Sequence, residues 1–140
     1  MIVLQYKFVV SLVELMYFKN IKRDPADTVF SKYVRTLQNY ICQRCLKKFP
    51  DNAANLHNSH FFGRRKESTR YDLQNCDAIC SYCHRYFESN PADYVTFKMK
   101  QLGKKEYNAL VLRANSYKKK DRKMEVIIWR QALKDLKLDK

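Results

Sequence analysis

Residues 42–84 decide the fold, and they read CQRCLKKFPDNAANLHNSHFFGRRKESTRYDLQNCDAICSYCH. The segment opens on one Cys-x-x-Cys pair, Cys42 and Cys45, and closes on a second, Cys80 and Cys83. A Cys-x-x-Cys turn presents two thiolates to one ion, and zinc prefers four such ligands in a tetrahedron. The two pairs therefore predict a closed, structural zinc site, which would contribute on the order of 10 kcal/mol to folding.

Other uses of the cysteines fit the pattern less well. The total of five is odd and the chain is rich in lysine, which argues against a disulfide scaffold. No βαβ pattern surrounds either pair, so a redox Cys-x-x-Cys site is also disfavoured. The fifth cysteine, Cys76, is poorly spaced from Cys80 for a further zinc knuckle and is predicted to be a buried core residue.

The histidines of the chain form a second pattern. There are three, and His57, His60 and His84 all lie within or directly after the cysteine-bounded segment. A zinc ion that joins the two ends of this segment would bring His57 and His60 close to His84. The sequence therefore predicts a second metal centre with open coordination positions, an arrangement typical of catalytic rather than structural metal sites.

The rest of the chain is mostly helical in pattern. Asp24 and Pro25 are a cap and a first-turn proline, and apolar residues then recur at helical spacing to about Tyr40. Asn90 and Pro91 repeat this start signal, and Gly103 is predicted to end the helix that follows. The remaining predicted elements are a strand at 56–61, a basic loop at 63–74, a helix from about residue 80 or 83 to 88, and helices at 107–114 and 124–136.

These motifs resemble a known family. His60, Asn75 and Cys80-x-x-Cys83-His84 are similar in order and spacing to the HNH (His-Asn-His) endonucleases. More narrowly, the runs HNSHFFGRR (57–65), TRYDLQN (69–75), NPADY (90–94) and QLG (101–103) resemble phage recombination nucleases of the NinG (Rap) type. The resemblance covers about residues 24–115. It implies an α+β fold, with a ββα-metal (His-Me finger) core, a four-cysteine zinc site and flanking helices.

The resemblance also implies roles for individual residues. His60 would be the general base that takes a proton from the attacking water, and Asn75 would hold the His60 ring and its loop in place. His84 would bind one divalent cation beside the scissile phosphate. The family often has an aspartate as the other ligand on the first strand, whereas this chain has Ser59 there. The nearest candidate is His57, and two neutral imidazoles suit Zn²⁺, Mn²⁺ or Ni²⁺ as well as Mg²⁺.

Charge points to DNA as the partner. The formal net charge is +14, and residues 98–123 hold ten Lys or Arg against two acids. Such a surplus favours a polyanion, because each cation set against a phosphate releases counterions. Arg64, Arg65, Lys66 and Arg70 are predicted to contact the phosphates beside the cut. The cluster at 118–123 is equally compatible with a second duplex arm and with a charged linker.

Two functions fit these observations. The first is a metal-dependent DNA endonuclease, for which the resemblance implies selectivity for branched recombination intermediates. The second is a non-catalytic zinc module that binds nucleic acid. The cysteines and the charge fit both, and only the set of His60, Asn75 and His84 favours the enzyme.

The expected organisation is an N-terminal extension (1–23), a nuclease domain (24–115) and a basic helical C-terminal extension (116–140). Residues 1–18 are apolar, but Lys7 and Glu14 interrupt them and no basic leader precedes them, so a packed strand or helix is favoured over a membrane segment. We expect a cytoplasmic protein of a bacterium or a phage-infected host. A homodimer is compatible with junction cutting, which requires two cuts.

Overall fold

The computed structural model describes residues 23–140, so the packing expected for residues 1–18 lies outside the described part. The fold is mixed α+β, as expected, with four helices and one small antiparallel sheet in this range. In chain order the elements are α1 (Pro25–Leu37), β1 (Leu56–His60), a 3-10 turn (Glu67–Thr69), β2 (Cys76–Cys80), α2 (Ser81–Ser89), α3 (Pro91–Ala114) and α4 (Arg122–Leu138).

Helix α1 begins where the sequence predicts. The Asp24 carboxylate accepts a hydrogen bond of 2.9 Å from the Ala26 amide, and Pro25 occupies the first turn. The helix ends at Leu37 rather than near Tyr40, because Asn39 and Tyr40 take left-handed backbone conformations with φ of 56° and 55°. Its buried face carries Phe30, whose burial stabilises the fold by roughly 1.5–3 kcal/mol.

The sheet consists of β1 and β2, paired so that Leu56 lies opposite Cys80 and His60 lies opposite Cys76. Helix α2 follows β2 without a loop, because the Cys80 sulfur caps the helix by accepting from the Cys83 amide. Because β2 runs antiparallel to β1, the end of β2 lies beside the start of β1, and α2 begins at that end of β2. The order strand, strand, helix therefore brings the start of α2 close to the start of β1.

Helix α3 crosses the sheet and is bent. Gly103 has φ of 77° and ψ of 162°, which confirms that the helical pattern breaks at this glycine. The chain resumes a helical path directly afterwards and not at Tyr107, so the second half is longer than predicted. Lys98 fixes α3 to β2, since its buried ammonium lies 2.5 Å from Asp77 and 2.8 Å from the Gln74 carbonyl.

Helix α4 packs against α1. Trp129 is the main contact, with its ring centroid 4.6 Å from that of Phe30 and 5.0 Å from that of Tyr33. Asp121 caps the helix by accepting from the amides of Lys123 and Met124. Among residues 23–140, no helix combines the length and the apolar character needed to cross a bilayer.

Candidate functional site

The four cysteines of the two knuckles converge. The sulfur atoms of Cys42, Cys45, Cys80 and Cys83 all lie within 4.8 Å of one another, and those of Cys45 and Cys80 are 4.0 Å apart. Four sulfurs about 2.3 Å from one zinc ion are separated by about 3.8 Å, so the observed set fits such an ion. The cysteines are thus positioned for a metal ion, and four thiolates are typical of a structural zinc site.

Hydrogen-bond donors reach the sulfurs of Cys42 and Cys83. The Cys80 amide donates to the Cys42 sulfur over 3.3 Å, and the Arg44 guanidinium donates to the Cys83 sulfur over 3.4 Å. Burial raises the pKa of Cys42, but amide donors outweigh it and bring that pKa down to about 7. Cys76 lies apart in the core with Phe30, as the sequence predicts, and burial raises the pKa of its thiol.

His57 and His84 face each other. The Nδ1 atom of His57, on β1, lies 3.1 Å from the Nδ1 atom of His84, in the first turn of α2. Two nitrogens about 2.0–2.1 Å from one ion would be about 3.0–3.4 Å apart, so this pair fits two adjacent ligands of a single cation. The structure therefore brings together the two residues that the sequence identifies as ligands of a second metal.

The surroundings of His57 favour the form of the ring that binds a metal. Burial, and then the charge of His84, lower the pKa of His57, so His57 is neutral at neutral pH. Neutral imidazole is the form that binds metals. The far side of His84 faces Glu88, with Nε2 3.8 Å from the carboxylate. A carboxylate is the usual neighbour of the free nitrogen of a ligating histidine, although this distance is longer than a hydrogen bond.

His60 leaves β1 in a different direction. It lies three residues after His57, and side chains alternate between the two faces of a strand. Its ring lies near Phe30 of α1, with centroids 6.4 Å apart, and its Nε2 lies 2.9 Å from the backbone oxygen of Arg70. Within residues 23–140, His57 contacts His84 directly, whereas His60 contacts neither of them.

The contact with Arg70 fixes the His60 tautomer. A carbonyl oxygen only accepts, so Nε2 carries the hydrogen and Nδ1 keeps its lone pair. Burial is the main cause that lowers the pKa of His60, and the charge of Arg64 lowers it further. His60 is therefore a neutral base at neutral pH, with Nδ1 as the basic atom.

Asn75 holds both ends of the loop that carries the Arg70 carbonyl. Its buried amide donates to the carbonyls of Phe62, at 2.9 Å, and Thr69, at 3.0 Å, and its oxygen accepts from the Phe62 amide at 2.7 Å. Both ends of the loop 61–70 are thus tied to one side chain. Since Thr69 directly precedes Arg70, Asn75 also sets the position of the oxygen that His60 contacts.

The basic loop contains two kinds of cation. The Arg64 side chain is 64% exposed and Arg65 is exposed as well, and Lys66 is half-buried. Arg70 is 17% exposed and makes a bidentate pair with Asp27 at 2.8 Å and 2.5 Å. Its guanidinium is therefore engaged within the protein, and the predicted phosphate contact by Arg70 requires that pair to open.

Asp27 is the site residue that sequence analysis missed. Besides Arg70, its carboxylate accepts from the Tyr71 hydroxyl at 2.9 Å and lies 3.6 Å from the Arg64 guanidinium. These contacts outweigh burial and lower the pKa of Asp27. In the sequence it reads only as an acid in the first turn of a helix, because its partners are far along the chain.

Comparison with known proteins agrees with the geometry of this segment. Residues 42–87 match the family model described as HNH endonuclease. No curated protein and no solved structure matches the chain. The matched range includes both cysteine pairs, the three histidines and Asn75, whereas α1 and α4 lie outside it.

Proposed function

We propose that this protein is a metal-dependent DNA endonuclease that hydrolyses phosphodiester bonds, with its active site on β1, β2 and α2. The observation that carries the proposal is the 3.1 Å approach of the Nδ1 atoms of His57 and His84. This pair lies inside the segment that matches HNH endonucleases. The order of β1, β2 and α2 is that of a ββα-metal core, with one ligand on the first strand and one on the helix.

In this proposal His57 and His84 hold one divalent cation, while Cys42, Cys45, Cys80 and Cys83 hold the structural zinc. A cation held by the two histidines would polarise the scissile phosphate and stabilise the leaving 3′ oxygen. The two imidazoles bring no negative charge, so Zn²⁺, Mn²⁺ and Ni²⁺ suit the site as well as Mg²⁺.

His60 is the general base. Its Nδ1 accepts a proton from the water that attacks phosphorus, while Nε2–H stays bonded to the Arg70 carbonyl and keeps the ring in place. The Cα atoms of His57 and His60 are about 10 Å apart along the strand. The scissile phosphate therefore lies at the end of β1, between the base and the two ligands. Cleavage there leaves a 5′-phosphate.

The basic loop supplies the DNA contacts. Arg64, Arg65 and Lys66 lie in the loop that joins His60 to Asn75, together with Gly63, where the lack of a side chain leaves the backbone accessible. With Asp27 and Arg70, whose backbone oxygen His60 contacts, they line an open cleft that also holds the carboxylates of Asp24 and Glu67. We propose that these exposed cations bind the phosphates that flank the cut. Such contacts position DNA without reading its sequence.

The narrower likeness to NinG-type nucleases supports a finer proposal. A phage recombination enzyme would act on branched DNA in the cytoplasm of the host, and paired cuts would favour a homodimer. The nuclease domain would span residues 24–115, with residues 116–140 as an extension that packs on α1 through Trp129.

The proposal is tested with full-length, zinc-loaded protein and a panel of linear and branched DNAs, each supplied with Mg²⁺, Mn²⁺, Ni²⁺ or Zn²⁺. We expect cleavage with at least one cation, and none from His84→Ala at the same cation concentration. His84→Ala lacks a ligand, so excess cation should restore part of its activity. If the wild type binds DNA but cuts none of the substrates with any cation, the non-catalytic zinc module is the better description.

A further inference from the structure

The basic loop and the linker between α3 and α4 form one surface. The linker, residues 115–121, lies against the loop 61–70 through several contacts. Lys66 donates to the Asn115 side chain over 3.2 Å, and the Lys120 amide donates to Glu67 over 3.4 Å. Ser68 also donates to the Arg113 carbonyl. The cations at 64–66 and those at 118–123, which are far apart in sequence, are therefore neighbours.

The cations of this surface divide into paired and unpaired ones. Arg113 pairs with Asp72 at 2.7 Å, and Arg122 pairs with Asp24 at 3.0 Å, so both have partners within the protein. Lys118 and Lys119 are exposed and take part in no salt bridge with any residue of 23–140. Unpaired lysines next to a DNA-binding cleft are suited to phosphates.

Tyr117 stands at the centre of the linker. It is 80% exposed, and its φ of 55° places it in the left-handed region that is uncommon for a bulky residue. The Lys66 ammonium lies 5.2 Å from its ring centroid, and the ring is otherwise open to solvent. The linker therefore presents an aromatic ring to solvent beside exposed cations, where it is free to contact a ligand.

We propose that Tyr117 is a stacking platform for an unpaired base of the DNA substrate, and that Lys118 and Lys119 hold the adjoining phosphates. This inference rests on the proposed function, because it takes DNA as the substrate. Within a duplex, neighbouring base pairs cover both faces of each base, so an aromatic ring can stack only where bases are unpaired. The favoured substrate would then be a duplex with a single-stranded arm, gap or branch beside the cut.

The test is equilibrium binding by the full-length protein, with no divalent cation added beyond the structural zinc. Two DNAs of equal length are compared, a continuous duplex and a duplex with a single-stranded arm that carries 2-aminopurine. Tyr117→Ala should weaken binding of the armed DNA by about 5- to 150-fold, the range expected for one stacked base, and should abolish the change in 2-aminopurine fluorescence. Binding of the continuous duplex should be unchanged.

Three matched variants separate stacking from other effects. Tyr117→Phe keeps the ring and should behave as wild type on both DNAs. Lys119→Ala should weaken binding of the armed DNA but keep the change in 2-aminopurine fluorescence at saturating protein, because it removes a phosphate contact and leaves the ring in place. Leu112→Ala removes a side chain of similar exposure on α3 (74%) and should change neither.

The platform is refuted if Tyr117→Ala affects both DNAs equally, or neither, or if Tyr117→Phe loses as much affinity as Tyr117→Ala. These results are independent of cleavage. An inactive wild type with Tyr117-dependent binding of the arm would overturn the endonuclease proposal and leave the platform standing. An active wild type whose binding of both DNAs does not depend on Tyr117 would overturn the platform and leave the endonuclease proposal standing.

Discussion

The Nε2 atom of His60 lies 2.9 Å from the backbone oxygen of Arg70. This one contact settles which ring nitrogen is basic, and it depends on a loop that two other side chains hold. Asn75 ties the ends of the loop, and Asp27 holds the Arg70 guanidinium. Asp27 belongs to α1, outside the segment that matches the HNH family, so the orientation of the base is set partly by a helix beyond the matched range.

Asp27→Asn should lower both stability and cleavage. The amide cannot keep the ionic pair with Arg70, and losing a charged hydrogen bond at a half-buried site costs roughly 1.5–3 kcal/mol in the free energy of unfolding. The pKa of Asp27 is lowered in the folded state, so its stabilising effect is present above its ordinary pKa of 3.8 and is lost as pH falls through the folded value.

Thermal unfolding of wild type and Asp27→Asn at a series of pH values checks this prediction. The difference between the two melting temperatures should be largest at neutral pH and should disappear below about pH 3.8. Asp139→Asn is the control, since this carboxylate lies next to the end of α4 and no salt bridge with the described residues involves it. A gap that persists unchanged into acid would mean that the charge of Asp27 is not what stabilises the loop.

His60→Ala should keep the fold and most of the DNA affinity while cleavage falls by about 10²–10⁴-fold, the usual contribution of a positioned base. Added cation should not restore activity, because metal does not replace a base. In the wild type, the lowered pKa of His60 keeps the ring neutral to a more acidic pH than usual. Cleavage should therefore rise with pH, with its midpoint below the ordinary histidine pKa of about 6.5. If His60→Ala cuts DNA as fast as wild type, His60 is not the general base.

Cys45→Ser should abolish zinc binding and unfold or aggregate the protein, because Cys45 shares the ion with three cysteines of the core cluster that joins β1, β2 and α2. Cys76→Ala is the matched control. Its thiol is buried but lies outside the group of four, so the variant should keep one zinc per chain and lose only some stability. Zinc content measured by atomic absorption, with circular dichroism, distinguishes the two. A zinc-free, normally stable Cys45→Ser protein would contradict a structural role for the site.

The sequence predicted much of this site because its signals are local. The two Cys-x-x-Cys turns, the cap at Asp24, the helix start at Pro91 and the break at Gly103 depend on residues next to one another, although the Asn90 side chain does not cap the helix as predicted. By contrast, β2 is only five residues long and runs directly into α2, so its sequence, CDAIC, carries no periodic signal. The role of Asp27 and the contact of His60 with the Arg70 carbonyl depend on packing between distant elements, which spacing alone does not reveal.

DNA affinity should fall steeply with salt, with a slope of log affinity against log salt of about −0.9 for each phosphate neutralised. Arg65→Ala should therefore make the slope shallower by about 0.9, since Arg65 is exposed and has no salt bridge with the described residues. Lys134→Ala, on α4 and outside both basic clusters, should leave the slope as it is. Fluorescence anisotropy at a series of salt concentrations measures both. An affinity that is flat with salt would show that the cationic surface is not the DNA-binding surface.

His57→Asp should change which cation supports cleavage. Two neutral imidazoles favour borderline ions such as Zn²⁺, Mn²⁺ and Ni²⁺, whereas a carboxylate adds a negative charge and a hard oxygen ligand, which Mg²⁺ prefers. We therefore expect the ratio of kcat/KM with Mg²⁺ to kcat/KM with Ni²⁺ to rise in His57→Asp relative to wild type. His57→Ala is the control, since it removes the ligand without adding a charge and should lose activity with every cation. His57 is half-buried on β1, so either change should spare the fold. If His57→Asp and His57→Ala show the same cation preference as wild type, His57 does not bind the catalytic ion, and its approach to His84 serves the packing of β1 on α2 alone.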